Sequence, residues 1–291
     1  MKIGILGLGS IGTRHGENLR TLGHQVVGYD PASERMSAFN ENCVHADRKG
    51  LLTWADAVVI ATPSDTHLSC LTDALSFRKP VLIEKPIYLR SDDVVARLLD
   101  AAERDKIQVY VGYNLRFHPC VVLAREWLRG GAIGRPIFAS FICAQLNTKY
   151  TDDLVLNWSH EIDLACHLLG EAELRSTMIE LEREITIGLA HAGETFVANS
   201  VVHLNYVSNP QARSFTIVGS LGSIHVDLTQ ASAQLVTESG ADPHFFRLDA
   251  FDLSYLAEIQ AFAAAIGGAA TELATGRDGL AVLRLGLEAR R

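Results

Sequence analysis

Gly7-Leu8-Gly9-Ser10-Ile11-Gly12 follows the apolar run Lys2–Leu6 and opens a segment that reads as helix as far as Gly23. Each glycine has a physical task in such a turn. Gly7 allows the tight bend, Gly9 lets the backbone approach a pyrophosphate, and Gly12 lets helix and strand pack closely. The helix start then presents N–H groups and the positive end of its dipole to phosphates. The next apolar run, Gln25–Tyr29, ends in Asp30, 18 residues beyond Gly12. A carboxylate there suits the adenosine ribose hydroxyls and repels a 2′-phosphate. The pattern therefore favours NAD over NADP, although Arg35 is near enough in sequence to meet a phosphate. Without a nucleotide, the same residues would be only a glycine-rich turn and a surface aspartate.

Working outward, Ala57–Ala61, Val81–Ile83 and Gln108–Gly112 are also short runs rich in Val, Ile or Leu. Runs nearly unbroken by polar residues read as strands buried on both faces of a parallel sheet. Helical segments separate them, and Ser91-Asp92-Asp93 opens one with an N-cap and acids at the positive dipole end. This alternation predicts βαβ units and a doubly wound sheet over residues 1–118. The pattern changes after His118-Pro119. Residues 120–129 and His160–Leu169 read as helices, with a strand near Ile137–Gln145. Strands then come in series: Leu174–Leu181, Glu184–Ala190, Thr195–Tyr206, Ser214–Val218, Ser223–Leu228 and Ala233–Thr237. Serial strands predict an antiparallel sheet. Helices near Ser254–Ile266 and Gly279–Arg290 close the chain. The expected fold is α/β: a parallel doubly wound sheet over 1–118, then an α+β domain over 119–291 with a large, mostly antiparallel sheet.

Composition narrows the partners. The 291 residues carry 26 Lys+Arg and 34 Asp+Glu, a formal net charge of −8. That balance argues against sequence-independent nucleic-acid binding, which needs a basic surface. No apolar run reaches the roughly 18 residues of a membrane-crossing helix. The apolar N-terminal stretch is too short and too glycine-rich for a signal peptide, and charged residues follow at once. Cys43, Cys70, Cys120, Cys143 and Cys166 show no CxxC spacing, which fits free thiols in a reducing compartment. A cytoplasmic protein without membrane or nucleic-acid partners is the expectation.

Two segments fall where the strand-to-helix loops of such a sheet carry function: Ala61–His67, and Glu84-Lys85-Pro86 directly after Val81–Ile83. A lysine ending a buried strand, its turn held by proline, is oddly placed for solvation alone. A surface Lys–Glu pair would read the same way. In the second domain His160 and Asp163 share a helix face at i, i+3, where a histidine beside a carboxylate suits general acid/base work. The alternative is a helix start with favourable acids. His167 falls on the same side, but a metal held by His160, Asp163 and His167 would need unusual geometry, and no metal is expected.

The ordered set of these segments resembles the Gfo/Idh/MocA family, the glucose–fructose oxidoreductase and inositol dehydrogenase group. The matching pieces are Gly7–Gly12, Asp30, Ala61-Thr62-Pro63 with His67, Glu84-Lys85-Pro86 and Gly112-Tyr113-Asn114-Leu115-Arg116-Phe117-His118-Pro119. Ser159-His160-Glu161-Ile162-Asp163-Leu164, Gly219–Ile224 and Thr275–Leu280 complete it. The resemblance implies a Rossmann domain, a nicotinamide cofactor and a sugar, polyol or sugar-derivative substrate. It also implies a homo-dimer or homo-tetramer, the family often pairing through the exposed face of the large sheet. Carried over residue by residue, Lys85 orients the reacting hydroxyl and His160 exchanges its proton. Leu8, Ser10, Ile11, Thr62, Pro63, His67, Glu84 and Lys85 join the three glycines and Asp30 around the cofactor. Tyr113, Asn114, Arg116, His118, Asn157 and Asp163 match substrate positions, Asp163 in a supporting role. Two features depart from the family. The Asp that many members carry four residues before the histidine is Leu156 here, with Asn157, Asp152 and Asp153 as nearby polar groups. The stretch from Gln145 to Trp158 is also short.

The function that follows is reversible hydride transfer between NAD(H) and a carbinol carbon. Two other readings stand beside it: an NAD-dependent enzyme with no net redox, as in glycoside cleavage, and a non-enzymatic dinucleotide sensor.

Overall fold

The computed structural model describes residues 1–39, 47–90, 92–146, 154–180, 183–193, 196–246 and 250–291. Ser91, Asp152, Asp153 and Cys43 lie outside the described residues. The chain forms two compact units, one of residues 1–114 with 255–283, the other of 115–254 with 284–291.

The first unit opens with β1 (Lys2–Leu6), α1 (Ser10–Thr21), β2 (Gln25–Tyr29), α2 (Ser33–Phe39), α3 (Arg48–Trp54) and β3 (Ala57–Ile60). It continues with α4 (His67–Ser76), β4 (Val81–Glu84), α5 (Asp92–Arg104) and β5 (Val109–Gly112). Its sheet runs β2-β1-β3-β4-β5, all parallel. Every residue of β3 and β5 is buried, as expected for strands covered on both faces. Because β1 lies between β2 and β3, successive crossovers depart to opposite sides there. The crevice at its carboxyl end is where such sheets take ligands.

The second unit begins with α6 (Pro119–Arg129), β6 (Pro136–Ala144), α7 (Leu154–Asn157) and α8 (His160–Leu169). The strands β7 (Glu171–Glu180), β8 (Glu184–Ala192), β9 (Val197–Asn205) and β10 (Ala212–Gly219) follow. After them come β11 (Gly222–Asp227), β12 (Ser232–Thr237) and β13 (Gly240–Phe245). The eight strands lie in the order β13-β12-β11-β10-β6-β9-β8-β7. Among the described residues only the β6–β9 pair of this sheet is parallel, so the sheet is mostly antiparallel, as read from the serial strands. In β8 the apolar Ile185, Ile187, Leu189 alternate with less buried neighbours. That alternation packs one face against α8 and its surroundings. Strand β13 escapes a sequence reading because it is an exposed edge interrupted by Pro243, without an apolar alternation.

The chain ends with α9 (Ala250–Ile266), β14 (Ala274–Thr275) and α10 (Gly276–Ala289). Strand β14 pairs antiparallel with β5 and extends the parallel sheet. The ring of Phe262 meets Tyr110 edge-on, with centroids 6.2 Å apart. Gly276 and Gly279 sit against Leu99 and Val111, where a Cβ would collide. Thr275 and Asp278 cap α10 reciprocally: the Thr275 N–H donates to Asp278 Oδ2 at 2.8 Å, and the Asp278 N–H donates to Thr275 Oγ1 at 3.1 Å. The sequence reading, with its single boundary at 118/119, assigned this closing stretch to the second domain. The structure packs 255–283 with the first unit, because these apolar contacts are made to β5 and α5. Among the described residues no helix is long and apolar enough to cross a membrane.

Candidate functional site

The first unit brings the glycine-turn residues and Asp30 together at the end of β1. Gly7 takes φ +90°, a left-handed conformation costly for a side-chain-bearing residue, and a Cβ there would meet the Ala61 carbonyl. A Cβ on Gly12 would run into the Gly7 carbonyl oxygen, so glycine is what allows α1 to sit so near β1. The position above Gly9 is open. Helix α1 starts there with no side-chain cap, leaving its first N–H groups to accept an anion. Ser10 and Ile11 form its first turn.

Asp30 is buried, and its carboxylate is well provided with donors. Oδ2 accepts the Leu8 N–H at 2.8 Å and Arg35 Nη1 at 3.4 Å, and Oδ1 accepts the Ala32 N–H at 2.9 Å. Burial raises its pKa, but the two N–H donors and Arg35 outweigh it and hold the group below the ordinary carboxylate value. Asp30 is therefore an anion at neutral pH. A cavity of about 320 Å³ opens beside it, lined among others by Gly7, Tyr29, Arg35, Arg48, Thr62 and Pro63. The residues present fit the adenosine and pyrophosphate end of a dinucleotide. Tyr29 and Arg48 were missed by the sequence reading. Arg48 carries no local signature, because it reaches the cavity only through the packing of α3.

The loop after β3 and the turn after β4 are tied by His67. Its Nε2 lies 2.9 Å from the Thr62 carbonyl and its Nδ1 lies 2.9 Å from the Pro86 carbonyl. Burial lowers its pKa, against the two carbonyls and the nearby Glu84 and Asp65, which favour the charged ring. Both ring nitrogens of His67 are thus used in bracing the two loops. Glu84 also turns inward: Oε1 meets His15 Nε2 at 2.8 Å, and Oε2 accepts the Lys85 backbone N–H at 3.3 Å. Lys85 itself is half-buried at the carboxyl end of the sheet. Tyr113 and Asn114, following β5, are buried.

In the second unit His160 is the first residue of α8 and is buried, 6% exposed. Asp163 does not join it as a ligand pair. Its carboxylate takes a two-pronged grip from Arg116, with Nη2 to Oδ1 at 2.6 Å and Nε to Oδ2 at 3.0 Å. His167 meets Arg125 at 3.3 Å. Burial, together with Arg116, Arg125 and Arg129, pushes the His167 pKa far down. A metal held by His160, Asp163 and His167 is not what this arrangement builds, because Asp163 is occupied by Arg116. Leu156 is wholly buried and packs at Gly286, so the family Asp position is apolar core here. Asn157 ends α7 half-buried.

His118 caps α6, its Nδ1 accepting the Cys120 N–H at 3.3 Å. Burial and then Arg213 push its pKa down to about 4. The unfolded chain takes up this proton near the ordinary histidine value of 6.5 and the folded chain only near 4, so stability falls as pH drops through that window. At pH 5 the loss from this residue is about 2 kcal/mol. Thermal unfolding followed from pH 7 to pH 5 should show this decline, with a shallower slope in His118→Asn. An equal slope in the two proteins would remove His118 from the account.

Residues 1–113 match the family model described as an oxidoreductase family with an NAD-binding Rossmann fold. Myo-inositol 2-dehydrogenase of Thermotoga maritima is 23% identical, the match covering all of this chain and 96% of that protein. The solved UDP-N-acetylglucosamine 3-dehydrogenase of Acidithiobacillus ferrooxidans superposes with a TM-score of 0.85 at 24% identity, covering 100% of this chain and 96% of that one. An oxidoreductase from Agrobacterium radiobacter, solved with NAD⁺, L-tartaric acid and magnesium, superposes with a TM-score of 0.86 at 19% identity, covering 100% and 95%. The matched residues 1–113 carry the glycine turn, the buried acid that follows β2 and the Glu-Lys-Pro turn after β4, and this part of the chain is that of the oxidoreductase family with an NAD-binding Rossmann fold.

Proposed function

We propose that the chain is an NAD-dependent dehydrogenase acting on the CH–OH group of a sugar, polyol or sugar derivative. The observation that carries this is Lys85 at the carboxyl end of β4, in the same sheet whose β1 and β2 ends form the Asp30 cavity. The relatives support the substrate class, since one is named for a cyclitol and one for a nucleotide sugar. Bound NAD⁺ supplies the hydride acceptor. His160 takes the hydroxyl proton, and the Lys85 ammonium donates a hydrogen bond to the same oxygen and stabilises its developing negative charge. In the reverse direction His160 returns the proton to the oxygen. Asp163, held by Arg116, supports the start of α8 on which His160 stands. Arg116, His118, Tyr113, Asn114 and Asn157 shape the surroundings of the substrate. Exposed Phe138, Met178 and Val197 on the large sheet support assembly as a homo-dimer or homo-tetramer.

The test is a nicotinamide absorbance assay with NAD⁺ or NADP⁺ against polyols, sugars, sugar phosphates and nucleotide sugars, with Lys85→Ala alongside. NADH formed with one class and lost in the variant supports the reading. Firm NAD⁺ binding with no turnover of any compound counts against it. Asp30 has its own test. In Asp30→Ser the carboxylate that meets the ribose and repels a 2′-phosphate is gone, so the preference for NAD⁺ should fall by about tenfold or more, the scale of one charge-assisted hydrogen bond. Unchanged affinities for both cofactors would place Asp30 away from the ribose.

A further inference from the structure

One group of buried polar side chains stands behind the Glu-Lys-Pro turn. His15 of α1, Glu84 of β4 and Glu258 of α9 each offer one nitrogen or oxygen, and the three atoms lie within 4.8 Å of one another. His15 and Glu258 are fully buried. The Tyr255 ring stands edge-on to the His15 ring, with centroids 5.9 Å apart. Gly112 in β5 makes the room: a Cβ there would come within 3.1 Å of the Glu84 carboxyl carbon. The two carboxylates and the imidazole thus form one cluster, joined at His15 Nε2 and Glu84 Oε1 by a 2.8 Å hydrogen bond.

The donor set, one nitrogen and two carboxylates, would suit a transition-metal ion by chemistry alone. Its spacing is that of a hydrogen bond. Ligands about 2.0–2.2 Å from a zinc ion, tetrahedrally arranged, stand more than about 3 Å from each other, whereas His15 Nε2 and Glu84 Oε1 are 2.8 Å apart. His15 and Glu84 are joined by a hydrogen bond, at a distance too short for two ligands of one ion.

We propose that His15 and Glu258 are positioning residues that act through Glu84 on Lys85. Glu84 folds its carboxylate back onto the Lys85 backbone N–H, as a strap across the strand end. His15 holds the other oxygen of that strap. Glu258 brings a carboxylate oxygen within 4.8 Å of the His15 and Glu84 atoms and so limits the room in which the imidazole can turn. His67 clasps the far side of the turn through the Pro86 carbonyl. The turn that aims Lys85 is therefore held from both sides, and loosening the His15 side lets the ammonium wander. A misplacement on the order of 1 Å is enough to cost about 100-fold in rate.

The proposal rests on Lys85 as the group that orients the reacting hydroxyl, and its test separates the two. The variants are His15→Leu, Glu258→Leu and the conservative His15→Gln and Glu258→Gln. A glutamine amide at position 15 still donates to Glu84. The first readout needs no substrate: the rate at which N-hydroxysuccinimidyl acetate acetylates Lys85 in the full-length protein with saturating NAD⁺, followed by peptide mass spectrometry. The leucine variants should change that rate several-fold, and His15→Gln should return it to within about twofold, with NAD⁺ affinity unchanged. The second readout is turnover with the compound found in the absorbance assay, myo-inositol being the first probe. Here kcat should fall about 10–100-fold while KM for NAD⁺ moves little. Lys85→Ala at full turnover with altered labelling in the leucine variants would overturn the catalytic reading and leave the positioning intact. Labelling and kcat within twofold of the parent in both leucine variants would overturn the proposal. So would loss of thermal stability with no rescue by glutamine, or one tightly bound Zn²⁺ per chain that Glu258→Gln releases.

Discussion

Lys85→Ala should lower turnover by about 10²–10⁴-fold, the scale of a lost charge-stabilising or acid/base group. Lys85 stands at the carboxyl end of β4, on a turn whose backbone is held by Glu84 and, through Pro86, by His67. Removing the ammonium leaves that scaffold in place, because none of the bonds just named uses the Lys85 side chain. The variant should therefore fold, bind NAD⁺ with near-parent affinity and fail at the chemical step. Arginine at this position would keep the charge but replace a compact point donor by a planar fork, so Lys85→Arg should recover only part of the rate. Steady-state kinetics with both variants, together with cofactor affinity by NADH fluorescence, make the measurement. A parent-like kcat in Lys85→Ala would end the assignment.

Asp163→Ala should destabilise the protein by about 3–5 kcal/mol, because it leaves the Arg116 guanidinium buried without its counter-charge. Both partners are almost fully buried, and the contact is two-pronged at 2.6 and 3.0 Å. In a chain of this size the fall in Tm should be on the order of 10 °C. Replacing both residues at once, as in Arg116→Met with Asp163→Leu, removes the stranded charge and should recover much of the loss. Thermal unfolding of the two single variants and the double variant forms the cycle. If Asp163→Ala unfolds at the parent temperature, the ion pair is not holding the start of α8. Lys85→Ala should lose activity and keep stability, and Asp163→Ala should lose stability first.

The periodicity of the chain carries far because parallel strands covered on both faces must be apolar throughout, and β1, β2 and β3 begin and end within one residue of their expected limits. The same logic is silent on β13, an exposed edge, and on β14, two residues long. Within the site, the glycine turn and Asp30 were legible because the covalent chain itself supplies the spacing from turn to acid. Glu84 and His67 were also found, but as cofactor neighbours. Packing adds that their polar atoms meet His15, the Lys85 N–H and two carbonyls.

The sequence by itself determined the two sheet types and the dinucleotide turn with its acid. Those depend on patterns of a few adjacent residues, on which local backbone geometry and burial act directly. Tertiary structure alone decided that 255–283 packs with the first unit, that Asp163 belongs to Arg116, and that Glu258 comes to stand beside His15 and Glu84. These are meetings of residues 47 to 243 positions apart in the chain. Which buried charge finds which partner is set by the way helices seat on the sheets, and no local pattern records it.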